Sequence, residues 1–265
     1  RVHPFVVLAR LGLLLASYAW AKGDEQSAAS DIFRIRLLIV DEAGAPVHGA
    51  VLRLRSRVVT AADGTAVVDT DQPEAGVAVA DGYLPEPVVL SREVAPRLTL
   101  RLWSTHAPDG TPRLSFHFGG DTMLGRRFVK PIRPDTPRLA RDDGGRSARE
   151  VVTEVAPLFG AADVSTLNLE TVVGDLPPRG AYSSKRFLLQ TPPAALAALT
   201  ELGVDTVTLG NNHANDWEDR GVTSTRQALA AAGIPFTGAG ESDGQAREPA
   251  VLERRGRKIG VLSYT

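Results

Sequence analysis

Three strand-like segments in the second part of this 265-residue chain each run into a polar cluster, and this repeat strongly limits the possible folds. The segments are residues 114–118, 163–167 and 204–209. Helical patterns lie between and after them, and strands that alternate with helices predict βαβ units and a mostly parallel sheet. Because functional groups gather at the carboxyl ends of such strands, we expect the clusters to meet. The sequence therefore predicts an α/β domain over residues 113–265.

The segments between and after these strands carry helical signals. Residues 148–159 have apolar side chains at helical spacing. Thr191 precedes two prolines and is a candidate N-cap for a helix that Gly203 closes. Residues 221–232 form a further predicted helix, and residues 259–262 form a last predicted strand.

The polar clusters contain Asp121 after the first strand, Glu170 after the second, and Asn212 and His213 after the third. Taken singly, each has an ordinary explanation. Asp121 suits a turn or a helix N-cap, and the asparagine-rich run 211–216 suits a loop that caps the next helix. Taken together, they place polar groups that need partners directly after apolar strands. Their shared position favours a functional site.

These residue types suit a metal-dependent hydrolase site. Asp121 and Glu170 supply carboxylate ligands for a divalent cation, and Asn212 supplies a neutral carbonyl oxygen. His213 is either a ligand or a proton donor to a leaving group, and Asp216 is a candidate to orient it. The chain has no cysteine, so its ligands are oxygen and nitrogen atoms, which suit Mg, Mn, Fe or Zn. A bound cation lowers the pKa of a water and polarises a phosphoryl or acyl oxygen.

Residues 32–104 show a β-rich pattern instead. Short segments of alternating apolar and polar residues are separated by turn sequences, among them the hairpin signal Asp63-Gly64. This spacing predicts a small β-sandwich. Arg53, Arg55 and Arg57 form either a basic stripe or, as we prefer, the solvated outer face of an amphipathic strand.

Three runs in this region are VDEAGAPVHGAVLRL, TAADGTAVV and ADGY. They resemble the carboxypeptidase regulatory-like β-sandwich, a transthyretin-like module of many exported proteins. The resemblance implies an accessory rather than a catalytic role for residues 32–104.

The second region contains the runs SFHFGGDTMLGR, NLETVVGD and LGNNHANDWEDRG, followed by IPFTGAGES and RKIGVLSYT. In this order and spacing they resemble the CapA family, the poly-γ-glutamate capsule biosynthesis proteins of the metallophosphatase superfamily. The resemblance implies a layered α/β sandwich with Mn, Fe or Zn at the strand ends. It implies that Asp121, Glu170 and Asn212 are metal ligands and that His213 is a catalytic acid.

One departure from that pattern concerns the histidines. Metallophosphatase sites normally complete the metal shell with histidines from later strands, but none of the five histidines follows His213. The resemblance therefore implies that this sequence holds the N-terminal half of an incomplete domain. We expect such a fragment to bind metal weakly without the remaining ligands.

Residues 1–21 have the order of a secretory signal peptide, with an apolar run and a small-x-small site ending at Ala21. The alternative is an uncleaved membrane anchor. Either predicts export to the periplasm, the cell envelope or the medium. The formal net charge of −1 gives no support for a nucleic-acid partner.

Two further sets of residues have open roles. His117 lies four residues before Asp121, and a packed strand histidine explains it better than a ligand does. Arg126 and Arg127 suit either the binding of a phosphate or anionic polymer, or a solvated loop or helix start.

The leading hypothesis is an exported CapA-like protein for the synthesis, transfer or release of a poly-γ-glutamate-type anionic polymer. The rival is a metal-dependent phosphoesterase, because the residues suit hydrolysis without naming a substrate. The third is a noncatalytic envelope-binding protein that docks on cell-envelope proteins.

Overall fold

The computed structural model describes residues 8–9, 32–94, 96–129, 139–140 and 143–265. The predicted targeting segment 1–21 lies outside these residues, apart from the two-residue strand β1 (Leu8–Ala9). The chain divides into two compact units. Of the described residues, the first unit contains those up to Phe116 and Glu154–Asp163, and the second contains the rest. The sequence-based domain bounds stay predictions.

The first unit is rich in β-structure. Its strands in the described region are β2 (Phe33–Val40), β3 (Ala50–Leu54), β4 (Val58–Ala61), β5 (Thr65–Thr70), β6 (Glu74–Val79), β7 (Glu86–Leu90) and β8 (Arg97–Arg101). They form two sheets, in the orders β5-β2-β8 and β4-β3-β6-β7. Alternate residues of β2, such as Ile35 and Leu37, share one core with Leu52 and Leu90 of the other sheet. The period of two in the sequence thus buries one face of each sheet.

Two details of this unit differ from or refine the sequence reading. The Asp63-Gly64 hairpin prediction is wrong, because β4 pairs with β3 whereas β5 pairs with β2, so the turn connects two sheets. The three arginines are exposed, as a solvated face requires. Arg55 and Arg57 lie beyond the end of β3 and pair with Glu154 and Glu74, so they do not form a strand stripe.

The main sheet of the α/β region has the strand order β1-β9-β10-β13-β14. Besides β1, its members are β9 (Ser115–Thr122), β10 (Val164–Leu169), β13 (Thr206–Thr208) and β14 (Phe236–Thr237). The pairs β1–β9, β10–β13 and β13–β14 are parallel. All but one residue of β10 are buried, as expected for a strand covered on both faces. The predicted α/β class and β-rich N-terminal region are confirmed.

The remaining elements of the described chain lie between and after these strands in the sequence. They are α1 (Arg146–Val152), α2 (Ala156–Phe159), β11 (Val172–Val173), β12 (Gln190–Thr191), α3 (Ala197–Leu202), α4 (Glu218–Ala231), α5 (Asp243–Ala246), β15 (Ala250–Arg254) and β16 (Arg257–Val261), with 3-10 turns at Arg126–Phe128 and Pro193–Leu196. Among the described residues, no helix is long and apolar enough to cross a membrane.

Two helix predictions need correction. Residues 148–159 form the short helices α1 and α2 rather than one helix, and Pro157 stands at the start of the second, where its missing N–H costs nothing. Thr191 is not an N-cap, because it belongs to β12 and its hydroxyl accepts a hydrogen bond from the Leu124 N–H at 3.1 Å. Gly203 ends α3 in the left-handed conformation, as predicted (φ 69°).

The last predicted strand occurs, but not in the parallel sheet. β16 pairs antiparallel with β15 in a separate two-stranded sheet. Arg255 and Gly256 connect them with φ angles of 50° and 70°, which is the backbone pattern of a tight hairpin turn.

Candidate active site at the strand ends

Asp121 lies within β9 and not in the turn that its Gly-Gly-Asp context suggests. Its Oδ1 atom accepts a hydrogen bond of 2.7 Å from Nδ2 of Asn168, on the neighbouring strand β10. Glu170 directly follows β10, and its N–H donates to the Thr122 carbonyl at 3.0 Å. Because strand side chains alternate between faces, Asn168 and Glu170 share a face. The two sheet neighbours thus bring both carboxyl groups together.

The two carboxyl groups influence one another. The pKa of Glu170 is raised above its ordinary value, first by burial and then by the negative charge of Asp121. A hydrogen bond between the two side chains also raises this pKa, whereas His213 lowers it. Burial and the negative charge of Asp121 thus both favour the protonated form of Glu170.

The loop after β13 is organised by Asn211, which the sequence reasoning did not single out. Its Nδ2 atom donates to Oδ1 of Asn168 at 2.9 Å and to the Leu169 carbonyl at 3.0 Å. Its Oδ1 atom accepts from the His213 N–H at 2.9 Å. Asn211 and Asn168 therefore connect the carboxylate side of the site to the histidine side.

The predicted ligand Asn212 is exposed. Its carbonyl oxygen accepts a hydrogen bond from Nζ of Lys185. Its side chain makes no hydrogen bond within the described part of the chain, unlike those of Asn168 and Asn211. Its role as a metal ligand stays a prediction.

His213 faces a fully buried carboxylate. Its Nδ1 atom lies 2.7 Å from Oδ2 of Asp216, which is 0% exposed. The same oxygen accepts the Leu189 N–H at 2.6 Å, and Oδ1 contacts Nζ of Lys185 at 2.6 Å. A carboxylate only accepts hydrogen bonds, so Nδ1 carries the proton in this contact and Nε2 is the remaining nitrogen. The position predicted for Asp216 beside His213 is found.

The donor set fits a divalent cation in its chemistry. Asp121 and Glu170 present adjacent carboxyl oxygens whose repulsion a cation would relieve, and an amide oxygen such as that of Asn212 is of the same hard type. Within the described ranges, no three His, Asp or Glu side chains form a metal-type cluster. The metal-ligand assignment of Asp121, Glu170 and Asn212 thus stays a prediction.

Sequence reasoning missed Asn168, Asn211 and Lys185 as site residues. Asn168 had a usable signal, because it lies two residues before Glu170 on one strand and must share its face. Lys185 had none, since it lies in an irregular segment between β11 and β12. The structure places His117 in β9, half-buried, four residues before Asp121.

The fold and the strand-end residues define an α/β protein with paired carboxyl groups beside a histidine–carboxylate pair. Residues 115–265, more than half of the chain, match the family described as bacterial capsule synthesis protein PGA_cap. The chain therefore belongs to this family, and the predicted CapA relationship is confirmed.

Curated relatives agree with this assignment. The chain is 26% identical over 153 residues to the PGA biosynthesis protein CapA of Bacillus subtilis, covering 57% of this chain and 37% of the relative. It is 37% identical over 160 residues to a probable polyglutamine synthesis accessory protein of Mycobacterium tuberculosis, covering 51% and 40%. An uncharacterized protein of Sinorhizobium fredii is 32% identical over 123 residues, covering 42% and 25%. The matched part thus spans well under half of these relatives.

Proposed function

We propose that this chain carries the metal-binding and acid–base site of an exported protein that acts on an anionic, poly-γ-glutamate-type capsule polymer. The proposal rests on the proximity of a carboxyl pair and a histidine–carboxylate pair at one sheet edge. The carboxyl pair of Asp121 and Glu170 lies within electrostatic reach of His213, which contacts the buried carboxylate of Asp216. Such a combination suits hydrolysis or transfer at a carbonyl or phosphoryl centre.

The chain's own residues supply proton transfer. Asp216 fixes the Nδ1 proton of His213, so Nε2 is the atom that gives a proton to a leaving group or receives one. Lys185 supplies a positive charge to the other oxygen of Asp216 and thereby keeps that carboxylate in place. Asn211 holds the backbone of His213 and ties the loop to β10.

A divalent cation, Mn, Fe or Zn, would be held by Asp121, Glu170 and Asn212, where it would lower the pKa of a water and polarise the oxygen of the carbonyl or phosphoryl group under attack. The clustering of oxygen donors at the ends of neighbouring strands supports this part of the proposal. The parallel pairs of the main sheet support a layered sandwich of the metallophosphatase type as the fold of this region.

Two further parts of the proposal rest on sequence and kinship. The polymer as substrate is supported by the family and by relatives whose names refer to PGA biosynthesis and polyglutamine synthesis. Export, with a signal peptide or anchor, follows from the order of charged, apolar and small residues in 1–21.

A metal and turnover assay on the purified chain tests the proposal. The chain is loaded with Mn, Fe or Zn, and metal content, glutamate release from poly-γ-glutamate and hydrolysis of an aryl phosphodiester are measured. Asp121→Ala should lose the metal, whereas His213→Ala should keep the metal and lose turnover. Asp81→Ala, an exposed turn residue of the first unit, is the control.

Each outcome has a clear meaning. Unchanged metal content in Asp121→Ala would contradict the assigned ligands. Turnover that survives in both variants would contradict the mechanism. Cleavage of the phosphodiester without any action on the polymer would favour the phosphoesterase alternative, and bound polymer without turnover would favour a binding protein.

A further inference from the structure

An exposed aromatic ring in the second unit carries two arginines. Phe187 is 54% exposed. The Cζ atom of Arg126 lies 5.4 Å from the centroid of its ring, and the Cζ atom of Arg186 lies 5.1 Å from the same centroid. Both arginines are themselves exposed. We call these three residues the arginine platform.

Side chains that were each solvated independently would not be expected in this arrangement. Two guanidinium groups of like charge lie near one ring, and more than half of the Phe187 surface is exposed to water. Arg126 also has a φ angle of 46°, a left-handed conformation that is unfavourable for a residue with a Cβ atom. Backbone strain of this kind concentrates at ligand-binding positions. The platform therefore has the features of an anion-binding surface.

The platform is joined to the candidate active site through its own chain segments. Lys185 and Leu189, on either side of the Arg186-Phe187 pair, both bond to the carboxylate of Asp216. Arg126 follows Asp121 by five residues. The Leu124 N–H donates to the Thr191 hydroxyl at 3.1 Å, which fixes the two segments to each other. The platform is thus carried by segments that are bonded to the residues proposed to do the chemistry.

The chemistry of the platform selects carboxylates. A guanidinium that stacks on an aromatic ring keeps its N–H edge free for a bidentate contact with a carboxylate. Two such groups beside one ring offer two contacts, which matches a ligand that repeats its carboxylates along a polymer. Lys185 is unsuited to this role, because its charge is already paired with Asp216.

We propose that Arg126 and Arg186, both held against the ring of Phe187, bind successive carboxylates of the anionic polymer and hold the polymer beside His213. The inference rests on the proposed function for the identity of the polymer. It adds a substrate-docking surface separate from the predicted metal ligands and acid–base residues. Recognition of the polymer and its chemical conversion are then carried by different side chains.

Binding of a labelled oligomer tests the platform without metal or turnover. A fluorescent γ-linked oligoglutamate is titrated with the chain at low and moderate salt, and the dissociation constant is read from anisotropy. Arg126→Gln with Arg186→Gln should weaken binding about tenfold and flatten its salt dependence. Phe187→Leu should weaken it by a smaller factor. Thermal unfolding of each variant confirms that these exposed changes leave the fold intact.

A charge-matched control separates the platform from general attraction. Arg97→Gln with Arg101→Gln removes two exposed arginines from β8 of the first unit and should change the constant by less than about twofold. Equal weakening by the two double variants would overturn the proposal, as would unchanged binding in the platform variant. Tighter binding of polyphosphate of equal charge would also overturn it. If the protein binds the oligomer through the platform but converts no substrate, that result contradicts only the proposed function.

Discussion

The Nδ1 atom of His213 lies 2.7 Å from the Oδ2 atom of Asp216, a carboxylate with no exposed surface. They lie three positions apart in sequence, so a single loop provides both groups. The carboxylate also bonds to Lys185 and to the backbone of Leu189. One buried group therefore orients the histidine and anchors the segment that carries the arginine platform.

Asp216→Asn should impair both orientation and stability. An amide can donate to Nδ1, which places the histidine proton on Nε2 and removes the proposed proton relay, so turnover should fall about 10²–10⁴-fold. Lys185 loses its only charged partner among the described residues, and because its side chain is only 27% exposed, the free energy of unfolding should fall by about 2 kcal/mol. Urea unfolding and turnover measure the two effects.

The matched control for that variant is Asp243→Asn. Asp243 pairs with Arg247 at 3.0 Å, but its side chain is 81% exposed. Solvent screens that pair, so its loss should scarcely change stability. Similar effects of the two variants would show that burial of Asp216 does not matter.

Glu170 should make stability depend on pH in the direction set by its raised pKa. The folded state holds the Glu170 proton more tightly than the unfolded chain, whose glutamate titrates near its ordinary pKa of 4.5. Folding therefore takes up a proton, and stability falls as pH rises from 4.5 through the folded pKa. Glu170→Gln should remove this loss of stability. The variant should therefore become more stable relative to the wild type as pH rises from 4.5 through the folded pKa of Glu170. Denaturant melts at several pH values, without added metal, measure the difference.

A control variant and the addition of metal make that test more specific. Glu93→Gln alters an exposed glutamate of the first unit whose pKa is lowered by a hydrogen bond from Ser91, so its effect should have the opposite sign. Added Mn should stabilise the wild type at neutral pH more than Glu170→Gln. A difference between wild type and Glu170→Gln that does not vary with pH would contradict the raised pKa.

The sequence was sufficient for the residues whose position follows from local periodicity. Asp121 and Glu170 lie at neighbouring strand ends because parallel strands present their carboxyl ends together. His213 and Asp216 meet because their spacing within one loop permits it. The same reasoning could have predicted Asn168, because the two-residue period of a strand places it on the same face as Glu170.

The sequence was insufficient where distant contacts decide. Lys185 reaches Asp216 across 31 positions, and no local pattern encodes that pairing. Thr191 has the residue type of an N-cap, but bonds to Leu124 and Thr171 hold it in a strand. The β15–β16 hairpin depends on a left-handed Arg255, a residue type that seldom marks such turns.

Asn168→Ala should weaken metal binding without replacing any proposed ligand. Asn168 donates to Asp121 and accepts from Asn211, so its loss frees one carboxylate and the loop that carries His213. Removal of an orienting partner of this kind costs about 10–100-fold in metal affinity. Calorimetric titration with Mn gives the affinity. Asn215→Ala, an exposed member of the same asparagine-rich loop, should bind as the wild type does, and equal losses in both would contradict the orienting role.

Gly125→Ala should destabilise the second unit, because the segments around Gly125 and Gln190 approach closely. A Cβ atom at Gly125 would overlap the Gln190 carbonyl oxygen, although its φ of −125° suits alanine. The cost comes from contact and should be about 1–3 kcal/mol in urea unfolding. Gly120→Ala is the matched control, since a Cβ atom there meets nothing within 4 Å. If Gly125→Ala were as stable as Gly120→Ala, the two segments would not be packed as the structure shows, and the placing of Arg126 beside Phe187 would lose its support.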